Sequence, residues 1–258
     1  MTAFLVTIRI AMRKGAAEKG ALLFSAGFYV AVISVLSSLW YAAATANGGA
    51  VAGYTADALA WYIATSEAVT ICINARLIED IGEGIVDGSV TTEMLRPISV
   101  VAMRIVTEVG RALPRLAACA ACGIAVCLLV AGRPPSAAGL ALAVPAALLA
   151  IACNIVAMHA FAASTFWLRD SRSAWFLYQK LVFVVGGMLL PLEVLPHGLA
   201  TVARFLPWMT MAYAPARLAS GHVEPYLLLV QVFWLGVLWA VAAGVFAAGE
   251  RRLQVVGG

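Results

Sequence analysis

The sequence predicts an all-α integral membrane protein, and three observations carry the prediction. Hydrophobic residues make up 63% of the 258 and charged ones 12%, with a mean hydropathy of +0.95, far from the balance of a soluble domain. Apolar runs of about 20 residues, enough to cross a bilayer core of about 30 Å as a helix, recur six times: 21–43, 58–78, 112–131, 138–166, 174–191 and 226–248. Lys and Arg fall on alternate connections. With a cytoplasmic N-terminus, only Arg133, Arg204 and Arg217 of the 17 lie outside, so both termini are read as cytoplasmic. The net charge of +4 then reports topology, and without a basic patch interleaved with aromatics nucleic-acid binding is disfavoured. A single transmembrane domain over 1–258 is expected.

Residues 1–20 predict an interfacial helix. Phe4, Leu5, Ile8 and Met12 share one face while Arg9, Arg13 and Lys14 lie to the side, an arrangement that rests in the lipid headgroup region. The alternative is an extension of the first span. That span is over twenty residues long and shows no small-residue cleavage site, so it is read as retained rather than as a signal peptide. The second span carries Glu67 about mid-membrane. A carboxylate there is costly unless protonated, paired or facing water; it either lines a path or bonds to a neighbouring helix.

Glu79 to Ser99 is a polar island between apolar runs, with the acids Glu79, Asp80, Glu83, Asp87 and Glu93. Ile78, Ile81 and Ile85 recur at helical spacing, which predicts one short helix with an apolar stripe. Gly88 and Ser89 break it. Ser89 caps a second turn through Val90, Met94 and Leu95, and Pro97 ends that turn by pushing Arg96 out of the α region. The whole is expected to form a docking loop on the cytoplasmic surface.

Beyond it, Arg104, Glu108, Arg111 and Arg115 share a helix face, read as snorkelling groups at the membrane surface in preference to an ion pathway. Pro114 is expected to bend the third span, and Arg133 with the two prolines after it makes a tight outside turn. Cys119 and Cys122 have redox or zinc spacing. No His or second Cys pair accompanies them, and the small residues around them predict close helix packing. The fourth span holds Pro145, Asn154 and His159, a packing histidine without a metal partner at helical spacing; no metal site is expected. Residues 191–225, with Pro191, Pro196, Pro207, Pro215 and Pro225, are too apolar for a free loop and too broken for a span. They predict an outer re-entrant hairpin of short helices, since irregular backbone at membrane depth needs protein or water cover.

Three stretches resemble one known family, the membrane (permease) subunit of type-2 ABC exporters, in its compact six-span bacterial subfamily. They are Gly88 to Ser99, with its apolar pair, basic residue and proline; Gly187 to Pro191 followed by Leu195-Pro196 and Leu206-Pro207; and Tyr213 to Gly221 before the last span. The resemblance implies that 79–99 is a coupling helix seated in a cytoplasmic ATPase, with Gly88, Met94, Leu95, Arg96 and Pro97 as contacts. It implies two ATPase subunits binding ATP and Mg, a second permease, identical or related, and residence in the bacterial inner membrane amid its lipid. The chain has no Gly-x-x-x-x-Gly-Lys-Ser/Thr loop to cradle phosphates, so no cofactor of its own is expected. By position, a path between the second and fifth spans through Trp61, Glu67, Phe183 and Met188 suits a hydrophobic or amphiphilic cargo such as a drug, lipid or natural product. The alternative is an ion-driven secondary transporter with Glu67 and Glu108 as proton carriers. An intramembrane enzyme is disfavoured because no Gly-x-Ser-x-Gly is present.

Overall fold

A computed structural model describes residues 2–89, 99–131 and 136–256. Met94, Leu95, Arg96, Pro97 and the Arg133 turn lie outside the described residues. The order is helix α1 (Thr2–Ala17), α2 (Lys19–Ala46), a two-stranded antiparallel hairpin β1 (Ala50–Val51) and β2 (Tyr54–Thr55), then α3 (Ala56–Ile71), α4 (Leu77–Val86), α5 (Val100–Ala131), α6 (Ala137–Ala162), α7 (Thr165–Leu168) and α8 (Arg172–Val184). A broken stretch follows, with 3-10 turns at Leu192–Val194 and Pro207–Thr210 around α9 (His197–Arg204), then α10 (Tyr213–Ala219) and α11 (Tyr226–Val256). Among the described residues, four helices are long and apolar enough to cross a membrane: Lys19–Ala46, Val101–Ala131, Ala137–Leu168 and Tyr226–Arg251.

The expected second and fifth spans are shorter than their apolar runs. α3 has 16 residues and α8 has 13, about 24 and 20 Å at 1.5 Å per residue, below the thickness of a bilayer core. Polar and glycine chemistry ends them. Asn74 accepts the backbone N–H of Arg76 through its side chain (3.1 Å) and that of Leu77 through its carbonyl (3.1 Å), a local turn that competes with the helix. α8 ends at Val185-Gly186-Gly187, where Gly187 has φ +69°, a left-handed conformation open to glycine at little cost.

α3 is the hub. Residues Leu59 to Ala64 and Ser66 to Val69 are all buried, packed by α2, α5, α6 and α10. The outer helices show one buried face each. On α2 that face is Tyr29, Ile33, Ser37, Trp40 and Ala44, spaced by four and three residues as one helix side requires, while Leu23, Phe24, Phe28, Val35 and Leu39 are exposed for lipid. The small-residue face of α5 meets Tyr29: a Cβ on Gly123 would fall 2.2 Å from its hydroxyl. All five cysteines are free thiols, and Cys72, Cys119, Cys127 and Cys153 are buried.

α1 turns back along α5 instead of lying alone. A Cβ on Gly110 would fall 2.7 Å from the Ala11 Cβ and 2.9 Å from the Ile8 carbonyl oxygen, the close approach that small residues permit. Leu5, Val6 and Ile10 stay exposed, so the helix keeps an apolar side for lipid. α5 continues unbroken from Val100 through Pro114 to Ala131, longer than the expected span because its first turns lie beside α1.

α4 carries the expected stripe but turns it inward. Leu77, Ile78, Ile81 and Ile85 belong to the core formed with Val69, Ile105 and Met158, leaving Glu79, Asp80 and Glu83 around Arg76 at 3.6 to 3.7 Å. The helix ends where glycine predicted, with Gly88 at φ +79°. The apolar stripe of Ile78, Ile81 and Ile85 is therefore internal packing, and of the residues expected to dock, Met94 to Pro97 lie outside the described residues.

Candidate functional site

Two residues one turn apart on α3 fix the broken backbone after α8. The Tyr62 hydroxyl donates to the Gly187 carbonyl, and Ser66 Oγ donates to the Met188 carbonyl at 3.0 Å. Carbonyls freed by the end of α8 are thereby satisfied inside the protein, which irregular backbone at membrane depth requires. The consequence is a fixed wall. Phe183 and Met188 from this segment face Glu67 and Thr70 of α3, and Phe24, Phe28, Val32 and Val35 of α2 line the third side of a groove of about 820 Å³.

Three of the four path residues named from sequence, Glu67, Phe183 and Met188, line this one groove. Trp61 does not. It lines a separate cavity of about 270 Å³ with Tyr29, Leu116 and Leu140, because six residues along a helix turn a side chain far from the face of Glu67. The larger groove is apolar apart from Ser25, Thr70, Gln179, Glu67 and Arg115. Glu67 is 2% exposed and its Oε1 has no hydrogen-bond partner among the described residues.

Near the junction of α1 and α2, Glu108 pairs with Arg111 at 2.8 Å and Arg115 reaches Glu18 at 3.7 Å. Glu18 breaks the chain between α1 and α2, so this pairing ties that junction to α5.

The prolines between residues 191 and 215 act as helix boundaries. Pro191 and Pro196 immediately precede Leu192–Val194 and α9, Pro207 opens the second 3-10 turn, and Pro215 lies in the first turn of α10, where a missing N–H costs nothing. These short elements are joined by a network that the sequence reading did not single out. Arg217 on α10 donates through Nη1 to Glu193 Oε1 (3.2 Å) and the Tyr54 hydroxyl (2.5 Å), and through Nε and Nη2 to Glu224 Oε1 at 3.0 and 2.7 Å. Tyr213 donates to Glu193 at 2.6 Å and Arg204 reaches it at 3.2 Å. The available signal was four opposite charges, Glu193, Arg204, Arg217 and Glu224, in an otherwise apolar stretch.

Its electrostatics follow from Arg217. Hydrogen bonds from the guanidinium hold the Glu224 carboxyl below its ordinary value of 4.5. Burial, then the same positive charge, pushes His222 below its ordinary 6.5. The His222 ring lies 4.8 Å from that of Tyr54, so the network covers the β hairpin, α10 and the approach to α11.

Set beside known proteins, residues 31–257 match the family model described as ABC-2 family transporter protein. A search among curated proteins returned no match.

Proposed function

Since the chain belongs to the ABC-2 family of transporter proteins and is a permease subunit, we propose that it works in an ATP-driven exporter of a hydrophobic or amphiphilic cargo in the bacterial cytoplasmic membrane. The observation that carries the proposal is the α2–α3–α8 groove. It is apolar, lies beside the broken segment that leads to the outer hairpin, and falls in the 300 to 1,000 Å³ range of ligand sites. Phe24, Phe28 and Val35 leave one side exposed, which a second permease, identical or related, would close.

In this scheme all six apolar runs contribute to crossing the membrane, α3 and α8 completing their passage through the segments that follow them, with both termini cytoplasmic. Two ATPase subunits bind ATP and Mg and grip the cytoplasmic loop through Gly88 and the segment Met94 to Pro97. ATP-driven closure of the ATPase pair moves these loops, and the two permeases rock against each other. Cargo enters the groove and leaves past the hairpin held by Arg217. The ion-driven alternative would use Glu67 and Glu108, of which Glu108 is ion-paired with Arg111 at 2.8 Å.

The test is purification of the tagged chain in mild detergent with its partners, followed by mass spectrometry and an ATPase assay. A stoichiometric partner with a phosphate loop and ATP-dependent transport in reconstituted vesicles are expected. Transport by the chain alone, driven by an ion gradient, would overturn the proposal.

A further inference from the structure

We infer that the groove selects an organic cation with an apolar body, and that Glu67 is the residue that selects it. The inference rests on the transport reading above and adds the charge of the cargo. Glu67 is enclosed, 2% exposed, with Oε1 unpartnered among the described residues. Three polar neighbours on α3 are satisfied: Ser66 donates to the Met188 carbonyl, Thr70 to the Ser66 carbonyl at 2.9 Å, and Tyr62 to the Gly187 carbonyl. Helix-to-helix bonding, one of the two roles open to Glu67 in the sequence, is thus performed by the residues around it.

The groove has a positive group of its own, Arg115, but that side chain pairs with Glu18 at 3.7 Å. A carboxylate left in an apolar groove is costly until a counter-charge arrives. An incoming cation offsets that cost, whereas an anion raises it, so the same group attracts one class and rejects the other. Phe24, Phe28 and Phe183 line the groove with it; their ring faces favour a weakly hydrated cation, and Met188 adds an adaptable apolar contact.

The experiment uses a pair of rigid ions of nearly equal shape and opposite charge, tetraphenylphosphonium and tetraphenylborate. Binding of each to the purified complex is measured by equilibrium dialysis against matched empty micelles. Saturable phosphonium binding at least tenfold tighter than that of the borate is expected, with Glu67→Gln losing at least tenfold for the phosphonium alone and Glu67→Asp keeping the preference. Equal affinity for the two ions, or unchanged phosphonium binding by Glu67→Gln, overturns the inference. Should Glu67→Gln not elute as a folded complex, the wild-type preference and its retention by Glu67→Asp decide the matter. ATPase content of the same sample separates the two levels. A charge preference without an ATPase keeps the cation site and sinks the ATP-driven scheme; an ATPase without the preference does the reverse.

Discussion

Arg217 reaches back 24 residues to Glu193, Nη1 to Oε1 at 3.2 Å, with side chains only 16% and 18% exposed. That contact joins α10 to the first turn after the broken segment and gathers Tyr54, Tyr213 and Glu224 about one guanidinium. Replacing Arg217 by Leu leaves Glu193 to Arg204 and Tyr213 but strips Glu224 of its guanidinium, and a loss of about 3 kcal/mol is expected, at the lower end for a broken buried pair. Arg217→Lys should recover only part of it, because an ammonium lacks the guanidinium's rigid fork. Thermal unfolding in detergent measures both.

Acid should weaken the same network. Glu224 has a lowered carboxyl value in the folded chain, so its stabilising contribution is complete above the ordinary 4.5 and is lost as pH falls through the folded value. His222, also lowered, binds a proton more readily when unfolded, which erodes stability as pH falls below the ordinary 6.5. Both effects have the same sign. A midpoint temperature that drops between pH 7 and pH 4 is expected, with His222→Gln flattening the upper part of the curve and Glu224→Gln the lower.

Ser66→Ala removes the donor to the Met188 carbonyl and leaves that buried acceptor short of a partner. The expected cost is about 1 to 2 kcal/mol. Because Met188 lines the groove, a cysteine introduced at Leu189 should also react faster with a thiol reagent in the Ser66→Ala background.

Gly110→Leu forces a side chain into Ile8 and Ala11 and should lift α1 off α5, at a cost of about 1 to 3 kcal/mol. Hydrogen exchange over residues 2–17 should rise. Gly20→Ala is the control, since a Cβ there meets nothing within 4 Å and alanine favours the helix by about 1 kcal/mol.

The two halves of the stretch over 79–99 should respond differently to a charge. Ile81 is 2% exposed within the chain's own core, so Ile81→Asp should abolish accumulation of folded protein. Leu95→Asp should leave insertion intact and uncouple ATP hydrolysis from transport. Normal coupling in that variant would move the docking contact elsewhere.

Class and family were legible along the sequence, and so were several helix ends, though not the early ends of α3 and α8. Hydropathy adds up locally, so six apolar runs announce a membrane protein whatever their packing, and Gly88 and the hairpin prolines mark where helices stop because their backbones allow little else. The helix over Ile78, Ile81 and Ile85 was equally plain from its period.

What those residues touch was decided by packing in three dimensions. In a bilayer the lipid-facing and protein-facing sides of a helix are both apolar, so the sequence of α3 does not reveal that nearly all of it is enclosed, or that Trp61 and Glu67 open into different cavities. Nor does local sequence tell whether an amphipathic stripe meets its own chain or a partner, as α4 demonstrates. The pairing of Glu193 with Arg217 and the isolation of Glu67 depend on how helices rotate and cross. Both are relations between segments distant in the chain, brought together only when the tertiary fold closes.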